Sequence, residues 1–116
     1  MTYKINSYSF GNITISNQTY NKDLIVYPSK IESNWWREDG HNLSIKDIQR
    51  ILKYKPEILV IGCGSSGVMQ VPTETLDKLD EMGIKHIEKN TGEAVEIFNQ
   101  KLKEGINVVG AFHLTC

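Results

Sequence analysis

Apolar positions follow a strand-like period near the start of the chain. Polar and apolar residues alternate there and predict two strands, whose apolar faces are formed by Tyr8 and Phe10 and by Ile13 and Ile15. The Gly11-Asn12 pair between them predicts a two-residue type II′ hairpin, because glycine adopts a positive φ at low cost. We expect a third strand over residues 23–27, ended by Pro28, because proline cannot donate to a strand ladder.

The pattern then alternates between helical and strand-like segments. The spacing predicts helices beginning at Ser44 and near residues 73–82 and 91–104, and strands at 58–61, 84–88 and 107–114. Asp47 lies three residues after Ser44 and completes a capping-box-like pair. Gly83 and Gly105 stand where helices end. The run 58–61 is apolar throughout, which is typical of a parallel strand buried on both faces.

This order of elements predicts a single α/β domain over residues 1–116. Alternating helices and strands favour a mixed, largely parallel sheet with helices on both faces, and an N-terminal β-hairpin adds antiparallel strands. A chain of 116 residues has a common size for one domain. Such a chain buries a core without needing a metal or a disulfide.

Charge and hydropathy narrow the range of partners. The formal net charge is -1 with the two signs well mixed, which argues against nucleic acid as a partner. No stretch approaches the roughly 20 apolar residues that a membrane helix needs. The first residues lack the apolar core of a signal peptide. We therefore expect a cytoplasmic protein without membrane contact, in which Cys63 and Cys116 remain thiols.

The segment Gly62–Gly67 reads GCGSSG and matches the G-x-G-x-x-G pattern of dinucleotide-binding loops. Glu88 follows near the end of the next predicted strand, where a ribose-binding acid would lie. That site requires a helix to begin within the loop, whereas Pro72 places the helix start well past the last glycine. We expect no cofactor. The glycines allow a tight turn, and an anion nest for a smaller ligand remains an alternative.

Cys63 lies at the carboxyl end of a predicted parallel strand, where open α/β sheets place ligand sites. A base that lowered its pKa would make it a nucleophile, and His41 and His113 are the candidate bases. The alternative is a small buried hydrophobic residue. His113 and Cys116 form an H-x-x-C pair, but zinc needs three or four ligands, so we expect no metal.

The predicted loop 29–42 holds the densest cluster of functional residue types. Trp35, Trp36 and Arg37 are the candidate interaction residues, because tryptophan and arginine are favoured at protein interfaces. Arginine also binds carboxylates and phosphates. In the structural alternative, the tryptophans cover the sheet and Arg37 pairs with a local acid. The candidate ligand-binding residues are Arg37, His41, Gly62, Cys63, Gly64, Ser65 and Ser66.

A family resemblance runs nearly end to end. It is carried by SFG at Ser9–Gly11, TYNKD at Thr19–Asp23, VYP at Val26–Pro28, WRE at Trp36–Glu38, LVIGCG at Leu59–Gly64 and GAFHLTC at Gly110–Cys116. The chain resembles the domain-of-unknown-function family of adipogenesis-associated domain-containing protein and mitochondrial complex I assembly factor 3, as a stand-alone archaeal or bacterial type of member. The resemblance implies a three-layer α/β fold with a central mixed sheet and an added hairpin. It implies no catalytic residues, and the eukaryotic members look like assembly or regulatory proteins.

Two hypotheses about function follow. The first is a non-enzymatic protein-interaction or assembly module, which predicts an exposed Trp35 and Arg37 surface, an unknown protein partner and no enclosed pocket. The alternative is a small-molecule-binding protein or enzyme with a site at Gly62–Gly67 that uses Cys63. A homodimer is compatible with the sequence, which does not demand one.

Overall fold

The computed structural model describes residues 3–116, which form two β-sheets and three α-helices. The strands are β1 Ile5–Ser9, β2 Asn12–Ile15, β3 Gln18–Tyr20, β4 Leu24–Val26, β5 Ile31–Glu32, β6 Ile58–Cys63, β7 Lys85–Lys89 and β8 Val108–His113. A 3₁₀ turn at Ile45–Ile48 leads into α1 Gln49–Tyr54, followed by α2 Thr73–Glu81 and α3 Thr91–Lys103. Among the described residues, no helix combines the length and the apolar character needed to span a bilayer.

The larger sheet is mixed, as predicted, and has the order β5-β4-β8-β6-β7. Strands β8, β6 and β7 are parallel, and β4 joins the sheet antiparallel to β8. Alternate residues of β6 pack on opposite faces of the sheet. Leu59 and Ile61 pack with α1 and α2, whereas Ile58 and Val60 pack with α3. The sheet therefore carries helices on both faces.

The N-terminal hairpin forms as predicted, but it does not join this sheet, so the strands do not make a single central sheet. Strands β1, β2 and β3 form a separate antiparallel sheet, whose Ile13 and Ile15 pack into the same core as α3. The Asn99 side chain on α3 holds β1 in place, because it accepts from the Ile5 N–H at 2.9 Å and donates to the Ile5 carbonyl at 2.8 Å. The second sheet thus shares a layer with α3.

The first hairpin also turns one residue earlier than predicted. Ser9 pairs with Asn12, so the loop is Phe10-Gly11, with the positive φ of 82° at its second position. A type II′ turn needs the positive φ at the first position. The second loop, Ser16-Asn17, has φ of 51° and 66° and is therefore compatible with a type I′ turn.

The second half follows the sequence prediction closely. Ser44 donates its backbone N–H to the Asp47 carboxylate at 2.9 Å, which confirms the predicted capping pair. Gly83 and Gly105 end α2 and α3 with φ of 74° and 79°, values that glycine adopts readily. Strand β5 lies in the segment 29–42, which we expected to be a loop.

The order of connections makes the carboxyl end of β6 a topological switch point. After β6 the chain passes through α2 to β7 on one side, and it then returns through α3 to β8 on the other side. Open α/β sheets bind ligands in the crevice at such a point. Cys63, at the end of β6, stands in register with His113, at the end of β8.

Candidate functional site

Three residues that are far apart in sequence meet beside the end of β8. Arg37 Nη1 donates to Asp23 Oδ2 at 2.7 Å, and His113 Nδ1 lies 2.7 Å from the same oxygen. Asp23 Oδ1 accepts from the Leu114 N–H at 2.8 Å. The Arg37 side chain is only 5% exposed, and its Nε is buried without a partner among residues 3–116. We call this group the Asp23–Arg37–His113 cluster.

The contacts of the His113 ring assign the position of its proton. Nδ1 also lies 3.0 Å from Arg37 Nη2, but a guanidinium only donates and a carboxylate only accepts. We assign the proton to Nδ1, because an unprotonated Nδ1 would face the carboxylate oxygen as a second acceptor. Burial alone would raise the pKa of Asp23, but hydrogen bonds from His113, Leu114 and Arg37 lower the pKa below its ordinary value. Asp23 is therefore ionised and accepts hydrogen bonds from all three residues.

The three side chains of the Trp-Trp-Arg segment alternate between the interior and the surface. Trp35 is 6% exposed, its Nε1 donates to the Asp47 carbonyl at 3.0 Å, and its ring lies 4.9 Å from the Arg37 guanidinium. Trp36 is 77% exposed. The expectation of an exposed Trp35 and Arg37 surface is therefore wrong, because both pack inward around Asp23. Only Trp36 remains available to a partner.

Two amides of the glycine segment donate hydrogen bonds within the protein. The Gly64 N–H donates to Thr91 Oγ1 at 2.9 Å, and the Ser65 N–H donates to the Thr115 carbonyl at 2.5 Å. Gly64 has a φ of 100°, and a Cβ there would collide with the Cys116 carbonyl. Paired amides do not offer an anion nest, so these two positions favour a structural turn. Helix α2 begins only at Thr73, outside the glycine segment.

Cys63 is buried, and this burial, together with the charge of Glu88, raises the pKa of its thiol to about 11. Although Cys63 stands in register with His113, no hydrogen bond joins the thiol to either candidate base within residues 3–116. A thiol in this state is protonated at neutral pH and is a weak nucleophile. It lines a shallow depression of about 350 Å³ together with Gln70, Glu88 and Asn90.

His41 is exposed and does not line this depression, but it is hydrogen-bonded to Gln70, which does. Its N–H donates to Asp39 Oδ1 at 2.8 Å, and its carbonyl accepts from the Gln70 N–H at 2.7 Å. Of the other candidate ligand-binding residues, Arg37 lies 3.0 Å from His113, and His113 pairs with Cys63 across β6 and β8. Within the described part of the chain, no three His, Cys, Asp or Glu residues are grouped so that they could hold a metal ion.

A second cluster, on the edge strand β7, was missed by sequence reasoning. His86 Nδ1 lies 2.6 Å from Glu88 Oε2, and His86 Nε2 lies 2.8 Å from Asp80 Oδ1 on α2. Burial lowers the pKa of His86, but hydrogen bonds to Glu88 and Asp80 outweigh it and raise the pKa above its ordinary value. The alternation of a strand places His86 and Glu88 on one face, and this was the available signal. We call this group the Asp80–His86–Glu88 cluster.

The fold and the site define a small α/β domain with buried charged side chains at a strand end and shallow depressions around them. Residues 5–113 match the protein family of unknown function DUF498/DUF598, and the chain belongs to that family. The assignment agrees with the sequence resemblance at the level of a family of unknown function. It does not identify the chain with the adipogenesis-associated or assembly-factor proteins.

Solved structures share the fold over nearly the whole chain. An outer membrane protein from Bartonella henselae superposes with a TM-score of 0.85 at 26% identity, over 99% of this chain and 97% of the other. A conserved hypothetical protein from Pyrococcus horikoshii superposes with a TM-score of 0.78 at 22% identity, over 97% of this chain and 99% of the other. A Mth938-like domain from Bordetella pertussis superposes with a TM-score of 0.79 at 17% identity, over 97% of this chain and 85% of the other.

Proposed function

We propose that this protein is a non-enzymatic protein-interaction or assembly module whose contact surface is centred on Trp36. The observation that carries the proposal is the exposure of Trp36 between two buried neighbours. An exposed indole contributes a large apolar area on binding, and tryptophan is enriched among the residues that dominate binding energy. The same side chain has no evident role in the core.

The loop around Trp36 is held in one conformation before any partner arrives. The Trp35 N–H donates to the Asp23 carbonyl at 2.8 Å, and the Arg37 guanidinium binds the Asp23 carboxylate. Both neighbours of Trp36 are therefore fixed to the same residue. A contact residue on a preorganised loop loses little conformational entropy on binding, and this favours affinity.

The family resemblance supports an assembly or regulatory role, and the two thiols are compatible with a cytoplasmic location. Assembly or regulatory roles are what the resemblance implies for the eukaryotic members, and the shallow depressions beside Trp36 suit such a role. Cys63 and Cys116 are both free, which is compatible with the reducing cytoplasm that we propose as the location. Nucleic acid and membranes are not proposed as partners, because the net charge is close to zero.

A noncovalent small-molecule site remains the second candidate function. The observation that favours it is the depression of about 350 Å³ at the switch point, which Glu88 lines beside Cys63. Because the raised pKa of Cys63 keeps its thiol protonated, we propose this site for reversible binding and not for nucleophilic catalysis.

The experiment that tests the interaction proposal is capture of cross-linked partners with wild-type protein, Trp36→Ala and a matched control. Phe10→Ala is the control, because Phe10 is another exposed aromatic residue but lies on the β1–β2 turn. We expect Trp36→Ala to lower recovery of a specific partner by about tenfold or more, with unchanged circular dichroism. Equal recovery by wild type and Trp36→Ala contradicts the proposal.

A further inference from the structure

Trp36 stands between two open depressions on the surface. One measures about 490 Å³ and lies towards α1. The other measures about 450 Å³ and lies towards Asn21, Lys22 and Thr115. Trp35 and Trp36 line both of them. A projecting side chain beside a hollow is a shape that can complement itself across a two-fold axis, because each copy then supplies both parts.

The charges beside Trp36 have the same self-complementary arrangement. Glu38 and Lys46 line the depression towards α1 and are 69% and 82% exposed, with 4.0 Å between Lys46 Nζ and Glu38 Oε2. A pair this exposed contributes little within one molecule. Across a two-fold axis, Lys46 of each copy can face Glu38 of the other, and each copy then contributes one acid and one base.

The remaining charged groups of this depression already have partners. Glu32 Oε2 accepts from Arg50 Nη1 at 2.8 Å, and the Asp47 carboxylate accepts from the Ser44 N–H and hydroxyl group. The charge of Glu32 is therefore matched by a cation within each copy, and the Asp47 carboxylate is held by neutral donors. The net charge of -1 also produces little repulsion between two copies.

We infer that the Trp36 surface binds a second copy of this chain as a two-fold symmetric dimer. Each indole occupies the depression of the other copy, against Ile25 and Trp35, and two Glu38–Lys46 pairs form at the rim. This inference rests on the proposed function, because it names a partner for the same surface. A heterologous protein on this surface is the competing outcome.

Sedimentation equilibrium over a wide range of loading concentrations tests the inference with the full chain. We expect wild type to show a reversible monomer–dimer equilibrium, and Trp36→Ala to raise its dissociation constant by about thirtyfold or more. Glu38→Lys and Lys46→Glu should each raise it by about fivefold to tenfold, since each introduces like charges at the rim. The double variant Glu38→Lys/Lys46→Glu should restore dimerisation, because the exchanged charges are again complementary.

Two results would overturn the dimer. One is a wild-type protein that stays monomeric at every concentration, and the other is a dimer that Trp36→Ala leaves unchanged. If a monomeric protein still captures another protein through Trp36, the proposed interaction function stands and only the inference that the partner is a second copy is wrong. If dimer and capture both fail, the proposed function is wrong as well.

Discussion

The Asp23–Arg37–His113 and Asp80–His86–Glu88 clusters each contain an aspartate and a histidine, but their third member differs. In the first cluster, Arg37 supplies a permanent positive charge to Asp23 inside the protein. In the second, two carboxylates face one imidazole at the edge of the sheet. The first cluster therefore joins distant segments of the fold with a charge balance that does not need a titrating cation. The second gains its positive charge only when His86 is protonated.

The largest effect that this comparison predicts is the loss of Arg37. Arg37→Ala leaves the mostly buried Asp23 without its cation and removes the stacking on Trp35. Breaking a buried pair in this way costs about 3–5 kcal/mol, and we expect the free energy of unfolding in urea to fall by that amount. Arg37→Lys should recover only part of the loss, because an ammonium group cannot reproduce the planar fork of the guanidinium.

Arg50→Ala is the matched control for Arg37→Ala. Arg50 also binds a carboxylate, that of Glu32, at 2.8 Å, but its side chain is 75% exposed. We expect it to change the free energy of unfolding by about 0–1 kcal/mol. Equal effects of the two substitutions would show that burial does not distinguish the two pairs.

A second prediction distinguishes the first cluster from the second by its loss of stability at acidic pH. The pKa of Asp23 is lowered in the folded protein, so its contribution to stability is present above the unfolded pKa of about 4 and is lost as the pH falls through the folded pKa. Asp23→Asn lacks this carboxyl and should lose less stability than wild type over that acid range, although it is less stable at neutral pH. Urea unfolding at a series of pH values measures the difference. Parallel stability curves for the two proteins would contradict the prediction.

The sequence predicted the second half of the fold well because its signals are local. Helix ends are set by cap residues such as Ser44 and Gly83, and β6 is set by its uniform apolar run. Each of these signals depends only on residues a few positions away. Strands β3 and β5 have only three and two residues, and they are defined by pairing with neighbouring strands. No period can be recognised in segments so short. The alternation of the first hairpin was recognised, but alternation does not say which sheet a hairpin joins.

The sequence pointed to Arg37 but not to its partners. Arg37 binds a carboxylate 14 positions away and lies 3.0 Å from a ring nitrogen of a histidine 76 positions away. Only the folded topology brings β8 and the residue before β4 to the same edge. The same limit explains Trp35, because composition marks a Trp-Trp pair as a candidate surface but does not say which ring faces inward. The inward ring is fixed by the Asp47 carbonyl and by the stacking with Arg37.

The smallest expected effect concerns the second cluster and has the opposite pH dependence. The pKa of His86 is raised in the folded protein, so its contribution to stability is fully present below the unfolded pKa of about 6.5 and is lost as the pH rises through the folded pKa. We expect His86→Gln to cost about 1 kcal/mol or less at mildly acidic pH and less than that in alkaline solution. Urea unfolding on either side of neutrality checks this.

Asp80→Asn is the informative companion variant for His86→Gln. It removes one of the two carboxylates but keeps the imidazole and its contact with Glu88. The NMR titration of the His86 ring should therefore move towards lower pH in Asp80→Asn, since one of the charges that favour the imidazolium is gone. A His86 titration that Asp80→Asn leaves in place would show that Glu88 alone sets the protonation of this cluster.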